Sequence, residues 1–519
     1  VNELQQHQFD VIVVGAGNAA LCAALSAQEA GASVVVLESA GEDERGGNTR
    51  FTAGAMRVVY KGVEDILELV PDLTPDEQET TDFGTYTETQ FFEDMERVTR
   101  FRADPDLVEV LVRQSFPTLK WMRSKGVRFT PIYGRQAFKI DGKFKFWGGL
   151  TLEAWGGGPG LVESLSAAAA EGNIPIIYNC RATDLIMEEG RVAGVSAMRD
   201  GRPATFRGRT VVLAAGGFQA NPEWRTRYLG PTWELAKVRG TRYNQGDGIR
   251  MGVNVGAMTA GNWSGCHAVG WELNAPEFGD LAVGDNFQKH SYPFGIMINA
   301  HGRRFVDEGA DFRNYTYAKY GRAILEQPDQ FAWQIFDRKV AHLLRDEYRI
   351  KQVTKIRADT LDELVARLQG VDGEAALAEI RAYNDAVDDS ASFNPTVKDG
   401  RRTRGLRVDK TNWANRIDEG PFEAYAVTCG ITFTFGGLRI NTGAEVLGVD
   451  NNPIPGLYAA GEMVGGIFYF NYPGGSGLTN GAVFGRIAGR NAGESALRAG
   501  RSSESGSVDR DLREVAIES

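Results

Sequence analysis

The stretch VIVVGAGNAALCAALSAQEAG, residues 11–31, decides the fold. Its first four residues, Val11–Val14, are β-branched and read as a short buried strand. The turn Gly15-Ala16-Gly17-Asn18-Ala19-Ala20 follows in the pattern GxGxxA, and Ala and Leu then recur at helical spacing. Val34–Leu37 reads as a second strand. Gly15 permits the tight turn, Gly17 lets a pyrophosphate approach the backbone, and Ala20 lets helix pack on strand. Asn18 and Ala19 open a helix whose unpaired N–H groups and dipole suit a phosphate. Glu38 ends the second strand, 21 residues after Gly17, where a carboxylate accepts from ribose hydroxyls. The glycine pattern alone is weak; strand, turn, helix, strand and acid together are specific. The fold class expected is α/β, with a Rossmann-like nucleotide-binding domain.

Working outward, the next loop is GEDERGGNTRFTAGAM, residues 41–56. Gly46, Gly47, Asn48 and Thr49 crowd in behind the acid, which suggests a cofactor with more oxygens to satisfy than NAD. VVLAAGGF (211–218), with Ala215, Gly216 and Gly217, and GLYAAGEMVGG (456–466) are two further strand-to-glycine turns. Each alone is a plain turn. Together with residues 15–20 they make one site fed from three distant segments, which suits FAD. A last glycine-rich turn lies in IFYFNYPGGSGLTNGAVFG, residues 467–485. Gly474, Gly475, Ser476 and Gly477 would let backbone approach the flavin ring, and a helix from near Leu478 would point its N-terminus at the flavin.

At 519 residues the chain is too long for one compact core. Glycine loops thin out from about 270 to 430, where helical patterns such as TLDELVARLQG and EAALAEIRAYNDAV take over, and the glycine-rich style then returns. The division expected is a first FAD-binding part at 1–269, an inserted domain at 270–430, a second FAD-binding part at 431–500 and a flexible polar tail at 501–519. The formal net charge of −11 leaves no basic surplus for a nucleic-acid partner, and an anionic substrate would need a few Arg or His residues to override that field locally. Cys22, Cys180, Cys266 and Cys429 form no CxxC pair and read as reduced, buried thiols. No apolar run reaches the ~20 residues of a membrane span, and the N-terminal residues lack the features of a secretory signal, so the expected location is cytoplasmic.

The set GAGNAALCAAL, GGNTRFTAGAM, VVLAAGGF, NQGDGIRMG, GRRFVDEG, FGGLRINTGAEVL, PGLYAAGEMVGG and YPGGSGLTNGAVFGRIAG resembles the fumarate reductase and succinate dehydrogenase flavoprotein superfamily over roughly residues 10–490. Within it, GNAALCAALSAQEAGASV, NYTYAKYG and FNYPGGSGL look most like the FAD-dependent tricarballylate dehydrogenases. The resemblance implies a discontinuous FAD-binding domain with an inserted, mobile α+β capping domain. The substrate would lie between cap and flavin and exchange hydride with flavin N5. It also implies cofactor contacts at Ser39, Thr52, Gly54, Ala182, Asp247, Gly461 and Glu462, beside those already named.

Site residues carried over from the resemblance are fewer. The family's proton-donating Arg follows GxRFxxE; in GRRFVDEGADFRNYTYAKYG that place falls at Phe312 or, one residue on, Arg313, and Arg313 is the candidate. Arg304 and Glu308 would hold the loop. His267 lies near a family substrate His and would bind a carboxylate. Departures are several. Gln288 and Ser291 stand where fumarate reductases carry a relay Glu and Arg, Thr432 or Phe433 stands in place of a substrate His, and Tyr472 in place of a substrate Arg. Tyr472 also matches a ketone-binding Tyr of 3-ketosteroid dehydrogenases. His290, beside the lost relay, reads as a solvated loop histidine rather than a proton shuttle. Asn48 replaces the His that tethers flavin in succinate dehydrogenases, so FAD should be non-covalent. The reading that results is a dehydrogenase desaturating a small polycarboxylate of the tricarballylate type. A 3-ketosteroid or other enone desaturase, or a fumarate reductase-like enzyme, is the alternative. With no CxxCH and no iron–sulfur cysteine set in the chain, electrons would pass to a separate iron–sulfur or membrane protein or a quinone.

Overall fold

The computed structural model describes residues 8–517, with side chains described as far as Gly500. β1 (Gln8–Val14) leads into α1 (Asn18–Glu29) and β2 (Val34–Leu37). β3 (Ile176–Ile177), β4 (Cys180–Glu188), β5 (Arg191–Arg199) and β6 (Arg202–Leu213) complete most of an eight-stranded sheet, ordered β4-β5-β6-β1-β2-β3. β1 pairs parallel with β2 and β6, whereas β4, β5 and β6 form an antiparallel meander. The β-branched run 11–14 takes the centre because both faces of a parallel sheet are covered; Val11, Ile12 and Val13 are fully buried.

The second sheet has six strands and carries the cap. It includes β7 (Thr259–Glu272) and β8 (Ile296–Ile298), then α2 (Tyr317–Leu325) against it, β9 (Ala332–Phe336) and β10 (Phe422–Leu438). β10, 17 residues long, is the spine: its first part, to Val427, pairs antiparallel with β9 and the rest, Val427 to Leu438, with β7. Val269 of β7 faces Gly430 of β10. β7 and β10, on which the chain enters and leaves the cap, are thus paired neighbours in one continuous sheet. Helices Leu361–Arg367 and Gly373–Ala386 cover β8 and β9 with a core of their own, including Leu364, Ile380 and Trp333.

The chain then returns to the first sheet. β11 (Pro453–Ala459) pairs parallel with β6, and α3 (Ser476–Ile517) packs along α1. The packing is backbone against backbone. A Cβ on Gly485 would lie 2.3 Å from the Ala19 carbonyl oxygen and one on Gly489 2.0 Å from that of Ala23. α3 begins at Ser476, two residues earlier than expected, directly after Gly475 in the left-handed region at φ +85°. The 501–519 segment expected to be a flexible tail begins inside α3, and residues 518–519 lie outside the described residues. The four cysteines are free and buried. Among the described residues no helix is long and apolar enough to cross a membrane.

Candidate active site

Two adjoining clefts lie between the sheets and share Asn18, Ala19, Asn48, Thr49, Gly461 and Glu462. The first, about 850 Å³ including its mouth, sits over the C-terminal ends of β1, β2 and β6. Gly15 has φ +107°, and a Cβ there would meet the Ala214 carbonyl oxygen at 2.5 Å. Gly17, Gly47 and the ends Ala215-Gly216 line the same cleft, as do Ser39, Ala182 and Asp247, the last paired with Arg181 at 2.8 Å. The Asn18 amide donates to Thr49 Oγ1 (3.1 Å) and its side chain donates to the Leu478 carbonyl (2.8 Å), so the first, second and last glycine turns meet at one residue. Thr52, Gly477 and Leu478 line the second cleft. Ala20, Gly46, Gly54, Gly217 and Ser476 lie one layer back, where their small size serves packing: a Cβ on Gly217 would stand 2.3 Å from Glu462 Oε1 and one on Gly54 2.6 Å from Gly157.

Two carboxylates border the first cleft. Glu38 is buried and accepts from the Ala16 and Ala40 amides at 2.7 and 2.8 Å; burial pushes its pKa up. Glu462 accepts from the Thr434 amide (3.0 Å) and Gln219 (3.1 Å), and burial pushes it up to about 7. The N-cap Gly17 has no side chain to cap α1, and with the Asn18 amide bonded to Thr49 the Ala19 and Ala20 amides remain for a phosphate. An uncapped helix start, a close glycine turn, an acid at the β2 end and a second contiguous cleft fit FAD. Asn48 donates to the Thr432 carbonyl (2.5 Å) and accepts from the Thr241 amide (2.9 Å). It clamps the flavin loop to β10 and offers no imidazole for a covalent tether.

The second cleft, about 1200 Å³ including its mouth, continues toward the cap. One wall is aromatic. His267 on β7 packs edge-on to Tyr317 (4.9 Å between ring centres) and Tyr472 (4.8 Å), and tilted on Phe433 (5.2 Å). The Tyr317 and Tyr472 hydroxyls are hydrogen-bonded to one another, and burial raises both their pKa values. His267 is buried with neither ring nitrogen bonded, and burial, reinforced by Arg239, drives its pKa well below the usual value.

The other wall is cationic. Of the two places left by the sequence, Arg313 lines the cleft, whereas Phe312 stacks on Trp147 at 5.6 Å. Arg313 donates to His290 Nδ1 (3.1 Å) and to the Arg135 carbonyl (2.9 Å). Its Nε has no partner and, among the described residues, no carboxylate pairs with it; burial lowers its pKa. His290 is not a solvated loop histidine. It is 2% exposed, and burial beside Arg313 drives its pKa down. The reason is that its loop lies beneath the cap, wedged against Tyr317 at 4.8 Å. Arg135 and Arg239 share Asp285 at 2.8 and 2.5 Å, and Gln288, at the lost relay position, donates to the same carboxylate (2.7 Å). Ser291 lies behind, buried, with its amide bonded to Tyr348. Thr432 and Phe433 both line the cleft. Arg304 and Glu308 form a buried ion pair of 2.5 Å that holds the loop, as read.

Arg135, Arg239, Asp285 and Tyr317 have no place among the site residues read from the sequence. Tyr317 lies in the quoted NYTYAKYG, four residues past Arg313, and could have been found by that spacing. The others sit in segments with no motif and carry no signal.

A family model described as FAD binding domain matches residues 10–478. The chain is 30% identical over 500 residues to a protein named probable fumarate reductase Ifc3 from Shewanella frigidimarina, covering 94% of this chain and 75% of that one. It is 27% identical to a 3-oxosteroid 1-dehydrogenase from Mycolicibacterium smegmatis, covering 93% and 96%. The open conformation of a flavocytochrome c3 fumarate reductase superposes with a TM-score of 0.70 at 27% identity, covering 95% of this chain and 79% of that one. The chain belongs to the FAD binding domain family, among the fumarate reductase-like flavoproteins, and is an FAD-dependent oxidoreductase acting on CH–CH groups.

Proposed function

We propose that the enzyme desaturates a small polycarboxylate of the tricarballylate type, removing a hydride and a proton from adjacent carbons to leave an alkene. The observation that carries this reading is Arg313: a buried guanidinium, paired with no carboxylate among the described residues, facing a cleft. A buried charge without a counter-ion is costly, and an anionic substrate supplies the missing partner. Bound FAD supplies the hydride acceptor, and the reduced cofactor passes its electrons to a separate carrier. The chain's own groups do the rest. Arg239 and Arg313 hold carboxylates, with His267 offering one ring N–H beside them. His290 accepts from Arg313 and, neutral at neutral pH, adds no competing charge. To take the substrate proton Arg313 must first give up one of its own, a loss that burial eases by lowering its pKa. Asn48 leaves FAD non-covalent.

A second reading rests on the bonded Tyr317–Tyr472 pair. A hydroxyl held this way can donate to a ketone, and the likeness to a 3-oxosteroid dehydrogenase supports it. Anaerobic titration of the yellow holoprotein with tricarballylate, succinate and a 3-ketosteroid, following flavin absorbance, separates the readings. Bleaching by tricarballylate is expected; bleaching by succinate alone, or by the steroid alone, would displace the polycarboxylate reading.

A further inference from the structure

A third, smaller chamber opens behind the cationic wall. It is about 310 Å³ including its mouth and shares His290 and Arg313 with the substrate cleft. Its other walls include Phe138, Trp147, Trp413 and Arg345. Arg345 comes from the cap and donates to the Gly134 carbonyl. Both guanidiniums lie over one indole: Arg313 Cζ is 5.5 Å and Arg345 Cζ 6.0 Å from the Trp147 ring centre. Like charges gathered in a low-dielectric space repel strongly.

The hydrogen-bond balance points the same way. Arg313 Nε, Arg345 Nη2 and Trp147 Nε1 are buried N–H donors with no acceptor. Because Arg313 can only donate, His290 Nδ1 must accept, and its unpartnered Nε2 carries a proton too. The acid that acts on both guanidiniums is Glu347, buried, with one oxygen unpartnered and no ion pair to either among the described residues. It acts on Arg313 and Arg345 through space, and burial still drives Arg345 down to about 9. Such a set of donors around one small space lacks an acceptor.

We propose that this chamber is an anion site, sized for a single carboxylate or halide, held between Arg313 and Arg345 and capped by Trp147. The anion has two possible sources: a distal carboxylate of the substrate, reaching past Arg313, or a free small ion. The first source rests on the polycarboxylate reading; the site itself does not.

The test uses holoprotein, with chloride or acetate titrated against gluconate at constant ionic strength, following tryptophan fluorescence and thermal midpoint. Wild type should respond saturably, Arg345→Met should weaken the response at least tenfold, and Arg345→Lys should retain part of it. Trp147→Phe, read by thermal midpoint, should weaken it severalfold. Binding of tricarballylate and butyrate, followed by the flavin spectrum, then names the source. If the substrate arm occupies the site, Arg345→Met weakens tricarballylate at least tenfold and butyrate little, and chloride competes with tricarballylate. If a free ion does, chloride binds without competing. No saturable response in wild type to either ion, together with equal effects of Arg345→Met on tricarballylate and butyrate, would overturn the proposal. Chloride binding in an enzyme that turned over no carboxylate would keep the anion site and discard the polycarboxylate reading.

Discussion

The FAD cradle and the substrate cleft adjoin, yet they are made of different material. The cradle is backbone: Gly15 against Ala214, an uncapped α1, and α3 lying on α1 with no side chain between Gly489 and Ala23. The cleft is side chains: Arg239 from before β7, His267 from β7, Arg313 and Tyr317 from the cap, Tyr472 from beyond β11. Backbone sites tolerate no added atom, whereas side-chain sites tolerate exchange. The same cradle can therefore serve fumarate reductases and steroid dehydrogenases while the cleft is rewritten.

That contrast can be broken by substitution. Arg313→Met should leave the protein yellow but, with Arg313 in the proposed role at the reacting carbon, lower the rate of flavin reduction by about a thousandfold. Loss of colour instead would show that cleft and cradle are not separable. Gly15→Val should do the reverse. With φ +107° and a Cβ 2.5 Å from the Ala214 carbonyl oxygen, the turn must move, and FAD affinity should fall by about a hundredfold or more, read from the flavin-to-protein absorbance ratio.

Glu462 sharpens the comparison, since it is a side chain within the cradle. Its folded pKa of about 7 lies above the ordinary 4.5, so the folded protein keeps a proton that the unfolded chain loses. The stability this contributes is complete below about pH 4.5 and is lost as pH rises through about 7, amounting to about 3 kcal/mol. In apoprotein, Glu462→Gln should remove that slope from denaturation curves taken between about pH 5 and 8. The buried histidines act in the opposite sense. With folded pKa values below 6.5, His267 and His290 cost stability as pH falls below that value. The smallest effect expected is at Asn48→Ala, which loses two hydrogen bonds and about 1–2 kcal/mol in a denaturant midpoint, with FAD released by acid precipitation as in wild type.

These differences also explain what could be read in advance. GxGxxA, the acid at Glu38 and the later glycine turns were legible because a backbone contact demands one residue type at one spacing. The stripe Gly485, Gly489, Gly493 was equally visible, opposite Ala19, Ala23 and Ala27, and went unread because each glycine looks like a helix breaker until its partner helix is known. Arg313 could be placed only to within one residue, because a 3₁₀ turn at Arg313–Tyr315 decides which side chain faces inward. His290 was misread, since nothing local reports that the cap lies over it. Arg135, Arg239 and Arg345 had no signal at all: burial and a shared carboxylate are tertiary facts.

Arg313, a buried guanidinium without a carboxylate partner among the described residues, is proposed to receive one from the substrate. The most direct measurement is the rate of flavin reduction, under anaerobic conditions, by tricarballylate and by a 3-ketosteroid in wild type and Arg313→Met. Rapid reduction by tricarballylate is expected in wild type, lost in the variant, and none by the steroid in either. Reduction by the steroid in both proteins, with tricarballylate inert, would contradict it.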